Sequence, residues 1–510
     1  MHWLENVVNE ILARQPEGEI LVSSGASPSG VYHVGHLREV ILCDAIVLAI
    51  RERGREARHI HVVDNLDAFR KVPVTLPDAY KKYLGMPLCN IPAPDGSRRS
   101  YADFCVDPFL ESMKKLGIEA EIIYQDQKYQ SGFYAPAIER SLKKLTEARN
   151  AITEVSGCQL DERWSPIQIL EDGRLKNYKF ISIDTEERRI AYEDSAGEMR
   201  KIRYDNGSIK LDWRLDWPGR WWLMGVAIEP FGRDHATKGG SYDTGVEIAK
   251  RVYGINPPIP VPYEFINRTG DTKKMSASKG TGINAEDVTN ILPSEITRYF
   301  MLRSPASKRL FFDETDGLLR LVDEYSALLA KSNKTPLERQ ILHFSRPDNV
   351  CPTISRVPFT YLVDVFQAAL RNADETMNLL SCGEYADIAA KDSVLIKREL
   401  AFVNLWLDKW APERVVFSLQ QIVGKGSFSD SEIAYLKSLA DSIAQAPPDA
   451  DGVWFHNCIY SFKDNAGLSV RQLFSAIYRI TIGKESGPRA GYFLSILPRD
   501  WLISRLRFEK

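Results

Sequence analysis

A doubly wound parallel α/β sheet, interrupted by an antiparallel insertion and followed by an all-α region, is the architecture to which this 510-residue chain points. Three observations lead there. Over the first part of the chain, short apolar runs alternate with helical stretches, the pattern of a parallel sheet covered by helices on both faces. Between about 156 and 212 the pattern changes to short alternating pieces of hairpin type. From about 285 onward helical periodicity takes over.

Taken in order, "EILV" (19–22) is short, apolar and preceded by Glu17-Gly18, which suits a first buried strand. From Val34 to Ile50 apolar residues lie all round, with Gly54 as a stop, so a buried helix follows. "HIHVVD" (59–64) is a second strand, with Asp64 and Asp67 at its carboxyl end. A proline-rich excursion (71–97) precedes the third strand, "AEIIYQ" (120–125), and a helical stretch from Phe133 to about Val155. "KFISIDTEERRIAYED" and "MRKIRYDNGSIKLDW" form the hairpins of the insertion, and "WWLMGVAIEPFGRDH" and "PIPVPYEFIN" resume the sheet as strands. Five helical patterns follow, among them "KRELAFVNLWLDKWAPERVVFSL", divided by proline-rich linkers near 346–358 and 446–449.

Composition excludes several classes. No apolar stretch would span a bilayer and no signal-peptide order opens the chain, so a cytoplasmic location without a membrane partner is expected. The seven cysteines are scattered without a C-x-x-C pair, against both a disulfide framework and a cysteine metal site. A net charge of −2 gives no global attraction to nucleic acid, and no DNA partner is expected.

Two junctions carry the chemistry. "GASPSGVYHVGH" (25–36) is a strand-to-helix turn, where ligands bind in a doubly wound sheet and where the helix amino terminus offers N–H groups to a phosphate. "TGDTKKMSASKGTG" (269–282) follows the strand-like "YEFIN" and precedes a helix start at Asn284, and its Lys273, Lys274 and Lys279 make it strongly cationic.

"HVGH" (33–36) with "KMSASK" (274–279) resembles the paired HIGH and KMSKS signatures of class I aminoacyl-tRNA synthetases. "ASPSGVYHVGHLRE", "LDWPGRWWLMGVAIEPFGRDHATKGGSYDTG" and "KKMSASKG" are similar to the lysyl branch of that class, and the match runs from about residue 20 to the carboxyl terminus. The resemblance implies a Rossmann-type catalytic domain (1–284) with a connective insertion (about 156–212). A helical linking segment (285–350) and an all-α anticodon-binding domain (351–510) would follow. It implies ATP with Mg²⁺, L-lysine and tRNA(Lys) as partners, joined through a lysyl-adenylate. Many relatives carry a cysteine zinc ribbon in the insertion. The corresponding turns here, "ILEDGR" and "EDSAGEM", hold no cysteine, so no zinc and no other protein-bound metal is expected.

The reaction needs no protein nucleophile, because the substrates supply both attacking oxygens. It needs donors and cations where charge builds on the phosphates. The resemblance assigns that catalytic role to His33, His36, Lys274 and Lys279. It places Gly30, Gly35, Gly232, Asp234, Met275, Ser276, Ser278 and Lys279 around ATP, and Gly25, Ser27, Trp217 and His235 around lysine. The alternatives are a glutamyl-type synthetase of the same class and a non-catalytic paralogue that binds tRNA or lysine. The stretch "DWPGRWW…FGRDHATKGGSYDTG" favours the lysyl branch, and intact histidines and lysines at the charge-stabilising positions disfavour a mere binding module.

Overall fold

The computed structural model describes residues 3–161, 163–270, 282–346 and 354–509. Lys274, Met275, Ser276, Ser278 and Lys279 of the second signature lie outside the described residues. The chain forms two compact units, 1–289 with 297–312 and 335–351, and 290–296 with 313–334 and 352–510.

The first unit is organised by a five-stranded parallel sheet. Helix α1 (Trp3–Arg14) precedes β1 (Ile20–Ala26), α2 (Val34–Glu52), β2 (Ala57–Val63), α3 (Tyr101–Lys115) and β3 (Glu121–Tyr124). Helix α4 (Gln125–Gln130) follows β3 directly, and α5 (Ala135–Lys143) and α6 (Leu145–Ser156) divide the helical stretch expected over 133–155. The insertion holds β4 (Ile167–Glu171), β5 (Arg174–Lys176), β6 (Lys179–Asp184), β7 (Arg189–Glu193), β8 (Met199–Arg203) and β9 (Ile209–Leu211). Helix α7 (Trp213–Met224), β10 (Val226–Gly232), α8 (Ser241–Ile248) and β11 (Ile259–Tyr263) complete the layer.

The sheet order is β11-β10-β1-β2-β3, all parallel. The chain first winds outward from β1 through β2 to β3, then returns to β1's other edge as β10. Between the carboxyl ends of β1 and β10 this reversal opens a crevice, the ligand position of doubly wound sheets. Strands β1 and β10 are buried along nearly their whole length, which is why both read as unbroken apolar runs.

Helix α2 is buried on every side, including its polar Arg38 and Asp44. Such charges survive in a core only when paired. Arg38 donates to the carbonyls of Ala306 and Lys308 at 3.1 and 2.9 Å, and Asp44 receives Arg298 at 2.6 Å. The signature at the head of α2 therefore sits on a fixed support.

The insertion is two three-stranded antiparallel sheets, β5-β4-β9 and β6-β7-β8. Ile167, Ile169, Ile190, Ile209 and Leu211 pack in one core with Ile138, Leu142 and Ile152 from α5 and α6. Its turns are built from main chain and aspartates. Asp172 and Gly173, at φ 51° and 73°, form a tight two-residue connection, and Asp194 accepts from the amides of Ala196 and Glu198 at 2.9 Å each.

Three sequence expectations fail. "MRKIRYDNGSIKLDW" is not a hairpin, because its first strand, β8, pairs with β7 and its second, β9, with β4 in the other sheet. Trp221–Met224 belongs to α7 and not to a strand, because Gly225, at φ 70°, caps the helix and the strand starts only at Val226. In the second unit the helix Ser393–Lys409 ends before Pro412, so 412–419 is not helical. That unit is otherwise helical from Phe359 to Leu506, with Trp406, Leu439 and Ile477 in its buried core.

Candidate active site

A cavity of about 390 Å³ lies in the first unit at the carboxyl ends of β1, β2, β10 and β11. Pockets for small molecules span roughly 300–1,000 Å³, so one amino acid or part of a nucleotide fits. Helix α2 starts at its edge.

The two signature histidines are the caps of that helix. His33, extended at φ −103° and ψ 172°, accepts the Gly35 amide on Nδ1 at 3.0 Å, and its own amide donates to His36 Nδ1 at 3.2 Å. Acceptance on Nδ1 places the His33 ring proton on Nε2, whereas His36 Nδ1 lies 3.2 Å from both the amide and the carbonyl of His33 and takes its role from its tautomer. The helix start thus presents two oriented imidazoles. A Cβ on Gly35 would come within 2.7 Å of His33 Cε1, so only glycine lets the ring fold over the first turn. His36 stacks on Tyr32, with ring centres 4.5 Å apart.

The cavity collects the other residues that the sequence assigned. Gly25 and Ser27 come from the end of β1, Gly232 and Asp234 from the end of β10. Trp217 of α7 meets His235 edge to face at 5.6 Å, and both line the wall. Gly30 is buried but outside the cavity wall.

The sequence places Asp64 and Asp67 at this end of the sheet, but not the buried cations that pair with them. Asp64 pairs with Arg220 at 2.7 Å, and Lys210 pairs with Asp67 at 3.0 Å. Asp216 lies between them, 3.5 Å from each cation, and accepts from the Tyr129 hydroxyl at 2.6 Å and from the Gln125 amide. Burial pushes Asp64 up despite Arg220, whereas at Asp67 burial is outweighed by the charge and hydrogen bond of Lys210 together with Ser27 and Arg70, which hold the carboxyl below its ordinary value. Gly25 is needed for this arrangement, since a Cβ would stand 3.0 Å from Arg220 Nη1 and 2.9 Å from the Val62 carbonyl.

Two further carboxylates form no ion pair. Glu39 accepts from the Gly25 amide at 2.9 Å and the Tyr263 hydroxyl at 2.6 Å, and burial pushes its carboxyl up to about 7. Glu229 accepts from Ser23 and the Trp221 indole, and burial raises it too. Glu229 feels the Arg220 guanidinium without touching it, and Glu39 has no cation within ion-pair distance among the described residues; buried carboxyls so weakly compensated arrange the cavity to receive positive charge.

Glu39 follows His36 by three residues and so shares its helix face, a spacing that could have identified it. Lys210, Arg220 and Glu229 gave no such sign. Among the described residues, no group of three or more His, Cys, Asp or Glu side chains is placed to hold a metal ion.

Comparison with known proteins gives three results. The family described as tRNA synthetases class I (K) matches residues 1–347. Lysine-tRNA ligase 1 of Methanosarcina acetivorans is 34% identical, over 99% of this chain and 98% of its own. The lysine-tRNA ligase of Pyrococcus horikoshii is 32% identical over 100% of both chains. Among solved structures, a glutamate tRNA ligase from Elizabethkingia meningosepticum aligns with a TM-score of 0.43 at 12% identity, over 96% of this chain and 98% of that one.

Proposed function

The chain belongs to the class I tRNA synthetases of the lysine type, and from that membership we infer that it attaches L-lysine to tRNA(Lys) at the expense of ATP, through a lysyl-adenylate. The observation that carries the amino-acid assignment is the pair of buried carboxylates, Glu39 and Glu229, in one cavity with the histidine-capped helix, neither within ion-pair distance of a cation among the described residues. A glutamyl side chain would meet repulsion there, whereas a lysyl ammonium completes the charge balance.

In the first step the lysine carboxylate attacks the α-phosphorus of ATP and pyrophosphate leaves. His33 and His36 would supply imidazole N–H donors where negative charge develops, held by the helix they cap, so no reorganisation is needed at the moment of reaction. Trp217, His235 and Phe231 offer ring faces along the methylene chain, and Gly25 and Ser27 lie where the substrate backbone would rest. Gly232 and Asp234 in the cavity wall would meet the ribose, and Gly35, with Gly30 behind the wall, would let the turn approach the nucleotide. Lys274 and Lys279, with Met275, Ser276 and Ser278, would hold the β- and γ-phosphates. Mg²⁺ would arrive as part of the ATP complex. In the second step a terminal ribose hydroxyl of tRNA takes the lysyl group.

On this reading residues 1–284 are the catalytic domain with its insertion, 285–350 the linking segment and 351–510 the part that meets the anticodon. No described helix is long and apolar enough to cross a membrane, and a cytoplasmic site of action fits the substrates.

Pyrophosphate exchange with each proteinogenic amino acid, with and without total tRNA, on the wild type and Lys279→Ala, tests the assignment. Exchange with lysine alone, lowered about 100-fold or more by the substitution, is expected. Exchange with another amino acid overturns the pocket assignment, and no exchange with any would make the chain a non-catalytic binder.

A further inference from the structure

The insertion reaches the lysine cavity through one side chain. Lys210, in the middle of β9, is the one buried lysine among the described residues, with 3% of its side chain exposed, and it lines the cavity floor. Its ammonium touches Asp67 at 3.0 Å and Asp216 at 3.5 Å. The strand is fixed on both sides, by its pairing with β4 at Gln168 and by the Leu211 amide, which donates to Tyr129 at 3.1 Å. Gln125, which donates to Asp216, has a buried Oε1 with no partner. Two carboxylates around one ammonium make a site for a primary amine, already occupied by the protein itself.

We propose that Lys210 is a specificity-determining residue: it fills a second ammonium site in the cavity floor, leaving only the Glu39 and Glu229 end open to the substrate. This rests on the lysine reading of the cavity. Lysine brings two ammonium groups and one carboxylate, whereas its decarboxylated counterpart, cadaverine, brings two ammonium groups and no carboxylate. A cavity with both acidic ends open would hold the diamine best and would repel the reacting carboxylate. With Lys210 in place, either ligand finds one ammonium site in place of two, and the difference lies in the carboxylate of lysine, which faces a floor whose anions are already neutralised.

The test is the ratio of the inhibition constant of cadaverine to the KM for lysine in pyrophosphate exchange. The wild type is expected to show a high ratio. In Lys210→Met, Asp67 loses its cation and Asp216 keeps only Arg220, so the floor attracts an ammonium and the ratio falls at least ~10-fold. In Lys210→Met/Asp67→Asn, which removes one of those anions, it returns toward the wild-type value. A wild type that binds cadaverine as tightly as lysine overturns the proposal without any variant, as does an unchanged ratio in Lys210→Met. Absence of lysine exchange in the wild type overturns the lysine reading and this proposal together, whereas lysine exchange with an unmoved ratio overturns only the role of Lys210.

Discussion

Glu39 shows how a single carboxyl sets the working pH of a site. Its ordinary value near 4.5 is pushed up to about 7, chiefly by burial, with Glu229 and Asp64 adding repulsion and the Tyr263 and Gly25 donors opposing it. The protonated carboxyl cannot neutralise an ammonium, so lysine affinity should rise about tenfold per pH unit up to about 7 and level off above it. The sign for stability is the reverse. An acid whose folded value is raised favours the folded protein below its unfolded value, and that contribution is lost as pH rises through about 7. Lysine, by pairing with the ionised form, should therefore raise the melting temperature more at pH 8 than at pH 6. Calorimetric titration across this range on the wild type and on Glu39→Gln decides the matter: a flat profile in the wild type, or an unchanged slope in the variant, would remove Glu39 from the ammonium site. At this scale the sequence was legible where residues cluster in the chain, as His33, Gly35 and His36 do. Lys210, Arg220 and Glu229 were opaque because charged side chains are ordinarily surface groups, and only the tertiary structure buries them together.

At the scale of elements, α2 combines two duties that its sequence does not separate. His33 and His36 were read as phosphate ligands, and the structure adds that they satisfy the amides of the helix they begin. The duties can be divided by substitution. His33→Ala removes both the cap and the donor, at a cost of about 1 kcal/mol in stability. His33→Asn restores an effective cap without the Nε2–H, so it should melt close to the wild type while its kcat in pyrophosphate exchange falls about 100- to 1,000-fold. Recovery of kcat together with stability would mean that capping alone accounts for the histidine. Other elements were legible to the extent that their periodicity was unambiguous. The strands β1, β2 and β3 announced themselves as short apolar runs between turn residues. The junction of α7 and β10 did not, because a continuous apolar run looks the same in a buried helix and a buried strand, and the change occurs at Gly225 without any break in hydrophobicity.

For the whole molecule the question is how a chain of net charge −2 holds a polyanion. The cavity and the RNA-binding surface answer to different electrostatics. Inside the cavity the ion pairs of Lys210 and Arg220 are removed from solvent, so salt screens them little. A tRNA must instead be held by exposed cations, whose contacts release counterions and weaken steeply as salt rises. Raising monovalent salt from about 50 to 200 mM should therefore increase the KM for tRNA in aminoacylation by about tenfold or more, while the KM for lysine in exchange changes by less than about twofold. Steady-state kinetics at the two concentrations reads both values from one preparation. A tRNA KM indifferent to salt would shift recognition from phosphates to stacked or hydrogen-bonded bases, which single-stranded RNA also offers. A lysine KM that followed the salt would show the cavity open to bulk ions, and Glu39 and Glu229 would then lose their standing as the desolvated anions that select the substrate.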